Sequence, residues 1–367
     1  MAKDHGIPLM RPLLPTASEI VPYLERIDSA RWYANNGPLL REFESRLARH
    51  FGVSDRCLVC VCNATVGLTL MLMNVGASPG SLCLMPSWTF AATPSAAIAA
   101  GLEPWFVDVS ERTWSLDPDF VREILPQAPG PVGAIMPVSP FGAPLDVQAW
   151  NAFGEESGIA VAFDMAAGFD SFRVGTAPAA VSLGATKIFG IGEGGFVATT
   201  DEAFANLVRL SGKYGFATER RSEFVGTNAK MSEYAAAVGM AALDGWAAHR
   251  SAFRAVTETY LDRLADVPNV EVQPGLGAGW YSSFFNVRVR GVSADRVIDE
   301  LTRRGIGARK WWSDGCHRQP AFTEFAKTDL PVTDALAASI VGLPISADLS
   351  SEDIDIVCRA LNEILGR

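Results

Sequence analysis

The chain has 367 residues, 49% of them hydrophobic and 20% charged, which excludes a disordered protein and leaves room for two packed units. Its formal net charge of −10 argues against nucleic-acid binding and against attachment to acidic membranes, so an anionic ligand has to be met by a local basic patch. Prolines interrupt the N-terminal stretch MAKDHGIPLMRPLLPTAS, and no segment reaches the ~20 apolar residues of a membrane span, so the sequence reads as a soluble cytoplasmic protein.

From residue 53 to residue 200, short apolar runs alternate with helix-like stretches: RCLVCVC before TVGLTLMLMNVG, LCLMP before TFAATPSAAIAAG, then EPWFVDV, VGAIMPVSP and GIAVAFD. Alternation of this kind predicts an α/β fold, a doubly wound, mostly parallel sheet that holds ligands at the carboxyl ends of its strands. Cys57 and Cys60 have CxxC spacing, but no second ligand pair accompanies them, and residues three apart on a strand face opposite ways. They are expected in the core, with no metal site. Residues 231 to 263, alanine-rich and free of proline, read as a long helix leading into a second unit. That unit carries a strand in SSFFNVRVRG, a helix in SADRVIDELTRRG and a closing helix opened by SSED. The expected division is a large unit with an N-terminal arm over 1–245 and a small α+β unit over 246–367.

Four segments at predicted strand ends carry chemistry. In SLGATKIFGIGEGGFVATTD, Lys187 is set among apolar residues and glycines. A lysine enclosed there is costly as an ammonium and becomes a nucleophile or imine former, unless it snorkels to a surface partner. Asn63, Ala64 and Thr65 follow a strand and open a helix, so their amides and the Thr65 hydroxyl suit a phosphate; Thr65 as a plain N-cap is the alternative. Asp164 ends an apolar strand with no basic neighbour in sequence and serves either a ligand or a turn. Trp88 and Phe90 follow another strand, where a ring either joins the core or stacks on a flat cofactor. Phosphate cradle, stacking ring, carboxylate and lysine are together what pyridoxal 5'-phosphate requires: the lysine for the imine, the carboxylate for the pyridine nitrogen.

The motifs NNGP…FE, CNAT, PSWTFAAT, FVDV…TWSLDP, FD.AAG, ATKIFGIGEGGFVAT, GTNAKMSEYAAAVG and HRQPAF, in this order, resemble the DegT/DnrJ/EryC1/StrS family of sugar aminotransferases over nearly the whole chain. The resemblance implies fold type I, with a large doubly wound domain and a small α+β C-terminal domain. It implies a homodimer with shared active sites that moves an amino group, from glutamate, to a nucleotide-linked keto-sugar in amino-sugar biosynthesis. Lys187 then holds the cofactor, Asp164 faces its pyridine nitrogen, Phe90 stacks on its ring, and Ala64, Thr65 and Ser182 contact its phosphate. Asn228 falls where the family reaches the neighbouring subunit's phosphate. Family members that are sugar dehydratases carry histidine in place of the lysine, so Lys187 argues against that class.

Two departures stand out. Ala167 occupies a position where the family commonly has a glutamine or histidine for the cofactor's 3-hydroxyl, and RKWWSDGCHRQP pairs two tryptophans in a region of substrate contact. The basic run RRGIGARK contributes Arg309 or Lys310 to a diphosphate, or is a solvated face; His317 meets substrate or is a loop histidine without a role. A cyclitol acceptor and a sensor that binds the cofactor without turnover are the alternatives.

Overall fold

In the computed structural model, which describes residues 6–217 and 221–366, twelve strands pair in ladders of five, four and three, and the Val138–Asp164 bridge joins the first two into one large sheet. Strands β1 (Leu58–Val61), β2 (Leu82–Pro86), β3 (Glu103–Val107), β4 (Val132–Ile135), β5 (Ala160–Val161), β6 (Phe163–Asp164), β7 (Ala179–Ser182) and β8 (Gly195–Ala198) belong to the large sheet. After β9 (Val270–Val272) and β10 (Phe285–Val289) of the second sheet, the short β11 (Ala326–Lys327) returns to pair with β3 at the edge of the first, and β12 (Ile340–Leu343) completes the second.

The ladder β11-β3-β2-β4-β5 is parallel throughout. Only Ala162 separates β5 from β6, and hydrogen bonds from Ala162 N to Ile135 O (2.9 Å) and from Phe163 N to Pro178 O (2.8 Å) carry the sheet across the break. Beyond it β7 is parallel to β6, while β8 runs antiparallel to both of its neighbours, β7 and β1. The sheet is therefore mostly parallel, as the sequence suggests, with β8 as the reversed strand. Strands β9, β10 and β12 form the smaller, fully antiparallel sheet.

Alternation along the strands explains the helices on both faces. Leu58, Cys60, Leu84, Trp105, Ile135, Val181 and Phe196 enter one buried cluster; Val59, Val61, Cys83, Met85, Phe106, Ala134, Ala180 and Val197 enter another. A two-residue period places these sets on opposite sides of one sheet, and each needs its own apolar cover. The helices Ala64–Asn74 and Ala92–Ala99 cover the second set, and Pro38–Phe51 and Val147–Ser157 cover the first. Cys60 is buried in the first cluster, and Cys57 lies on a short 3₁₀ turn just before β1 rather than on the strand.

The long helix runs Glu233–Leu264, started by Ser232, whose hydroxyl accepts from Ala235 N at 3.1 Å. The closing helix, Ser351–Leu365, begins at the SSED stretch with Ser350 accepting from Asp353 N at 3.1 Å. The N-terminal segment lies across the C-terminal part of the chain: Ile7 pairs with Ile306 and Met10 with Ile345, in parallel bridges. Arg11 adds an ion pair to Asp348 at 2.8 Å.

Candidate active site

Because β1, β2, β4, β6 and β7 point the same way, their carboxyl ends share one edge of the sheet, and a cleft of about 1060 Å³ opens there. Asn63 to Val66 follow β1, Thr89 and Phe90 follow β2, Val138 and Ser139 follow β4, and Asp164 and Ser182 close β6 and β7. Lys187 comes from the loop between β7 and β8, and Met10, Phe284, Arg309, Trp311 and Trp312 supply the opposite wall.

The helix Ala64–Asn74 is capped by Asn63, not by Thr65: the Asn63 side chain accepts from Val66 N at 2.9 Å. Thr65 thus sits inside the first turn with its hydroxyl uncommitted. Among the described residues, Ala64 N–H and Thr65 N–H also have no acceptor, as expected for a first turn, and Ser182 Oγ only accepts, from Gly184 N at 3.2 Å. These donors line one end of the cleft, at the positive end of a helix. Gly195 makes the geometry feasible, since a Cβ there would lie 2.7 Å from Ala64 N. A phosphate group fits this donor set.

Asp164 is only 4% exposed. Its Oδ2 accepts from Thr93 Oγ1 at 2.7 Å and its Oδ1 from Ala166 N at 3.0 Å. Burial pushes its carboxyl above the ordinary range, opposed by these two hydrogen bonds and by Lys187. Lys187 is half-buried, with Nζ 5.1 Å from the centre of the Phe284 ring. Burial holds its ammonium below the ordinary lysine range, while the Asp164 and Glu193 carboxylates act in the other direction. A buried carboxylate and an amine with a lowered pKa therefore face one cavity. Around them a flat-sided apolar wall is built by Phe141 stacked on Trp312 (3.9 Å between ring centres) and by Phe284 edge-on to Trp311 (4.9 Å).

The sequence-predicted residues divide cleanly. Asn63, Ala64, Thr65, Phe90, Asp164, Ser182, Lys187 and Arg309 line this cleft, and so does Ala167. Phe90 is 61% exposed, its ring uncovered by the protein, whereas Trp88 is buried against Trp312. Lys310 is not part of the lining: Asp295 and Asp314 hold its ammonium at 3.0 and 2.9 Å. His317 is not either; it is buried, with Nδ1 2.7 Å from Ser87 Oγ and Nε2 3.4 Å from the Asp334 carboxylate. Arg303 and Arg304 pair with Glu300 and Glu363. Asn228 is exposed, outside its own chain's cleft, and accepts a hydrogen bond from Lys230.

Residues that the sequence does not single out complete the lining. Leu9 and Met10 arrive from the far N-terminus, Glu193 from the glycine loop, Val138 and Phe141 from the segment that follows β4, Phe141 within the turn Pro140–Gly142, and Phe284 from just before β10. A second, polar groove of about 780 Å³ lies elsewhere, lined by Arg41, Arg56, Glu44, Glu202 and Arg209. There Arg209 pairs with Glu44 at 2.8 Å and Arg56 with Glu202 at 3.6 Å, so its charges largely satisfy one another.

The protein EryC1 of Saccharopolyspora erythraea, named for sensory transduction in erythromycin biosynthesis, is 31% identical over 95% of this chain and 96% of its own. GDP-perosamine synthase of Caulobacter vibrioides is 30% identical over 93% of this chain and 94% of its own. The solved structure of DesI with its TDP-sugar product superposes with a TM-score of 0.90, at 33% identity, covering 100% of this chain and 94% of that one. Residues 16–362 match the DegT/DnrJ/EryC1/StrS aminotransferase family, and the chain belongs to it, as a pyridoxal-phosphate-dependent aminotransferase of that family's α/β fold.

Proposed function

We propose that the enzyme transfers an amino group from glutamate to a keto group of a nucleotide-linked sugar. The observation that carries the proposal is the convergence of Lys187, Asp164 and the first turn at Ala64 and Thr65 on one cleft. Its size also leaves space for a sugar nucleotide beside the cofactor. That relatives of near-equal length are named for GDP- and TDP-linked sugars supports the acceptor class.

In this proposal Ala64 N–H, Thr65 N–H and the Thr65 and Ser182 hydroxyls hold the cofactor's phosphate, and Phe90 covers one face of its ring. Asp164 faces the pyridine nitrogen and keeps a proton there. Bound pyridoxal phosphate supplies an electron sink for the substrate carbon that loses a proton. Lys187 Nζ first anchors the cofactor and afterwards, as a free amine beside that carbon, takes and returns the proton. Its lowered pKa suits both tasks, since an ammonium can neither attack the cofactor nor take up the proton that it later returns. The aromatic wall excludes water, and Arg309, exposed in the lining and 5.5 Å from the Trp311 ring, meets the diphosphate. We place Asn228 at the neighbouring subunit's phosphate in a homodimer, consistent with its exposure outside its own cleft.

The test is a pair of half-reactions. Glutamate added to the holoenzyme should bleach its visible absorbance, and a nucleotide-linked keto-sugar should restore it. Bleaching by glutamate with no recovery from any nucleotide keto-sugar, but recovery with a cyclitol ketone, would replace the acceptor class.

A further inference from the structure

Two threonines stand behind Asp164. Thr93 Oγ1 donates to Asp164 Oδ2 at 2.7 Å, and Thr89 Oγ1 lies 2.6 Å from Thr93 Oγ1. A hydroxyl has one proton to give, and that of Thr93 is committed to the carboxylate, so the proton between the two threonines belongs to Thr89. The pair is thus a directed chain, Thr89 to Thr93 to Asp164, in which each bond polarises the next. Both threonines are 0% exposed, so water does not compete for them.

The chain is anchored from the other end of the sequence. Cys316 Sγ donates to Thr89 O at 3.2 Å, Cys316 N to Ser87 O at 2.9 Å, and His317 N to Ser87 Oγ at 3.1 Å. His317 and Cys316 therefore fix the loop that follows β2, and with it Thr89. With Ala166 N–H on the other carboxylate oxygen, both oxygens of Asp164 are held from the protein side and the carboxylate plane is fixed.

We infer that Thr93, backed by Thr89, is a positioning residue that orients the Asp164 carboxylate and keeps it ionised toward the cofactor's ring nitrogen. The inference rests on the role proposed above for Asp164. Its physical basis is that burial alone drives this carboxyl toward its neutral form, and a neutral acid cannot balance a protonated pyridine. A hydrogen bond to the charged form, in a dry site, is the strongest local opposition. The other charged groups of the cleft, Lys187, Glu193 and Arg309, are unchanged by substitution at Thr93, and His317 faces Ser87 and Asp334 rather than Asp164.

Thr93→Val removes the hydroxyl at nearly constant volume, and Thr93→Ser keeps it. In the apo protein, the infrared carbonyl band of protonated Asp164, identified by its loss in Asp164→Asn, reports the titration directly. The band should persist to higher pH in Thr93→Val, return to the wild-type profile in Thr93→Ser, and move less far in the same direction in Thr89→Val. Where the variant's Asp164 is protonated and the wild type's is not, pyridoxal phosphate affinity should fall on the order of tenfold, the equivalent of one pKa unit. A folded Thr93→Val whose band titrates with the wild type overturns the inference. Should Thr93→Val fail to fold, an unmoved titration in Thr89→Val does so instead. Failure of the Asp164 role is seen separately, as an Asp164→Asn protein that binds the cofactor with wild-type affinity and spectrum.

Discussion

Glu233, at the first turn of the long helix, accepts hydrogen bonds from Leu39 N at 2.8 Å and Leu40 N at 3.1 Å, the opening amides of the helix Pro38–Phe51. A carboxylate 1% exposed thus caps a helix from 194 residues away. Gly37 permits the approach, because a Cβ there would sit 2.5 Å from the Glu233 carboxyl carbon. Glu233→Ala strands two buried N–H groups and should cost about 2–4 kcal/mol in urea unfolding. A loss below about 0.5 kcal/mol, the size of an ordinary surface substitution, would show that the contact is incidental.

Asp164→Asn preserves shape and removes charge. On the role proposed for Asp164, the substitution removes the anion facing the pyridine nitrogen and with it charge stabilisation of the reaction, and the glutamate half-reaction should slow by about 10²–10³-fold, as for removal of one key electrostatic partner. Stopped-flow absorbance measures this, with cofactor content determined independently. Near-normal rates would leave Asp164 a structural residue only.

The pH dependence of cofactor capture follows from Lys187. Only the free amine attacks the cofactor's aldehyde, and its fraction grows as pH rises through the amine's pKa. Burial lowers that pKa from 10.5, so the rate at which apo protein captures pyridoxal phosphate should climb and level off below pH 10.5. Glu193 pulls the pKa back up, hence Glu193→Gln should move the profile to lower pH. A wild-type profile still rising at pH 10.5 would contradict the enclosed environment assigned to Lys187.

The fold was legible where burial writes a period into the sequence, as in LVCV and LCLMP, whose alternate residues enter opposite clusters. Strand direction leaves no such trace: β8 has the same apolar look as its neighbours, and only pairing with β1 and β7 reveals that it is reversed. Lys187 and Asp164 stood out because a charge in an apolar run needs a reason. Thr93 did not, since a threonine in a helix is unremarkable until Asp164 is seen 2.7 Å away. Lys310 and His317 were candidates by type, and both turn out to be occupied by local partners, Asp295 and Asp314 in one case and Ser87 in the other. Leu9 and Met10 escaped notice because their place in the cleft depends on pairing with the C-terminal segment.

The proposed sharing of each site between two subunits predicts complementation. Asn228→Ala subunits mixed with Lys187→Ala subunits should form hybrid dimers in which one site carries both lesions and the other neither. Activity in the mixture should exceed that of either parent. If hybrids form, each parent is impaired and the mixture gains nothing, Asn228 serves its own subunit and the placement across the boundary is wrong.

The central claim is that Lys187 holds the cofactor, and chemical trapping tests it most directly. Borohydride reduction of the holoenzyme, followed by peptide mass spectrometry, should abolish the visible absorbance and leave a cofactor-derived adduct on the peptide containing Lys187, with none in Lys187→Ala. An adduct on a different lysine, or no adduct in protein saturated with pyridoxal phosphate, would contradict it.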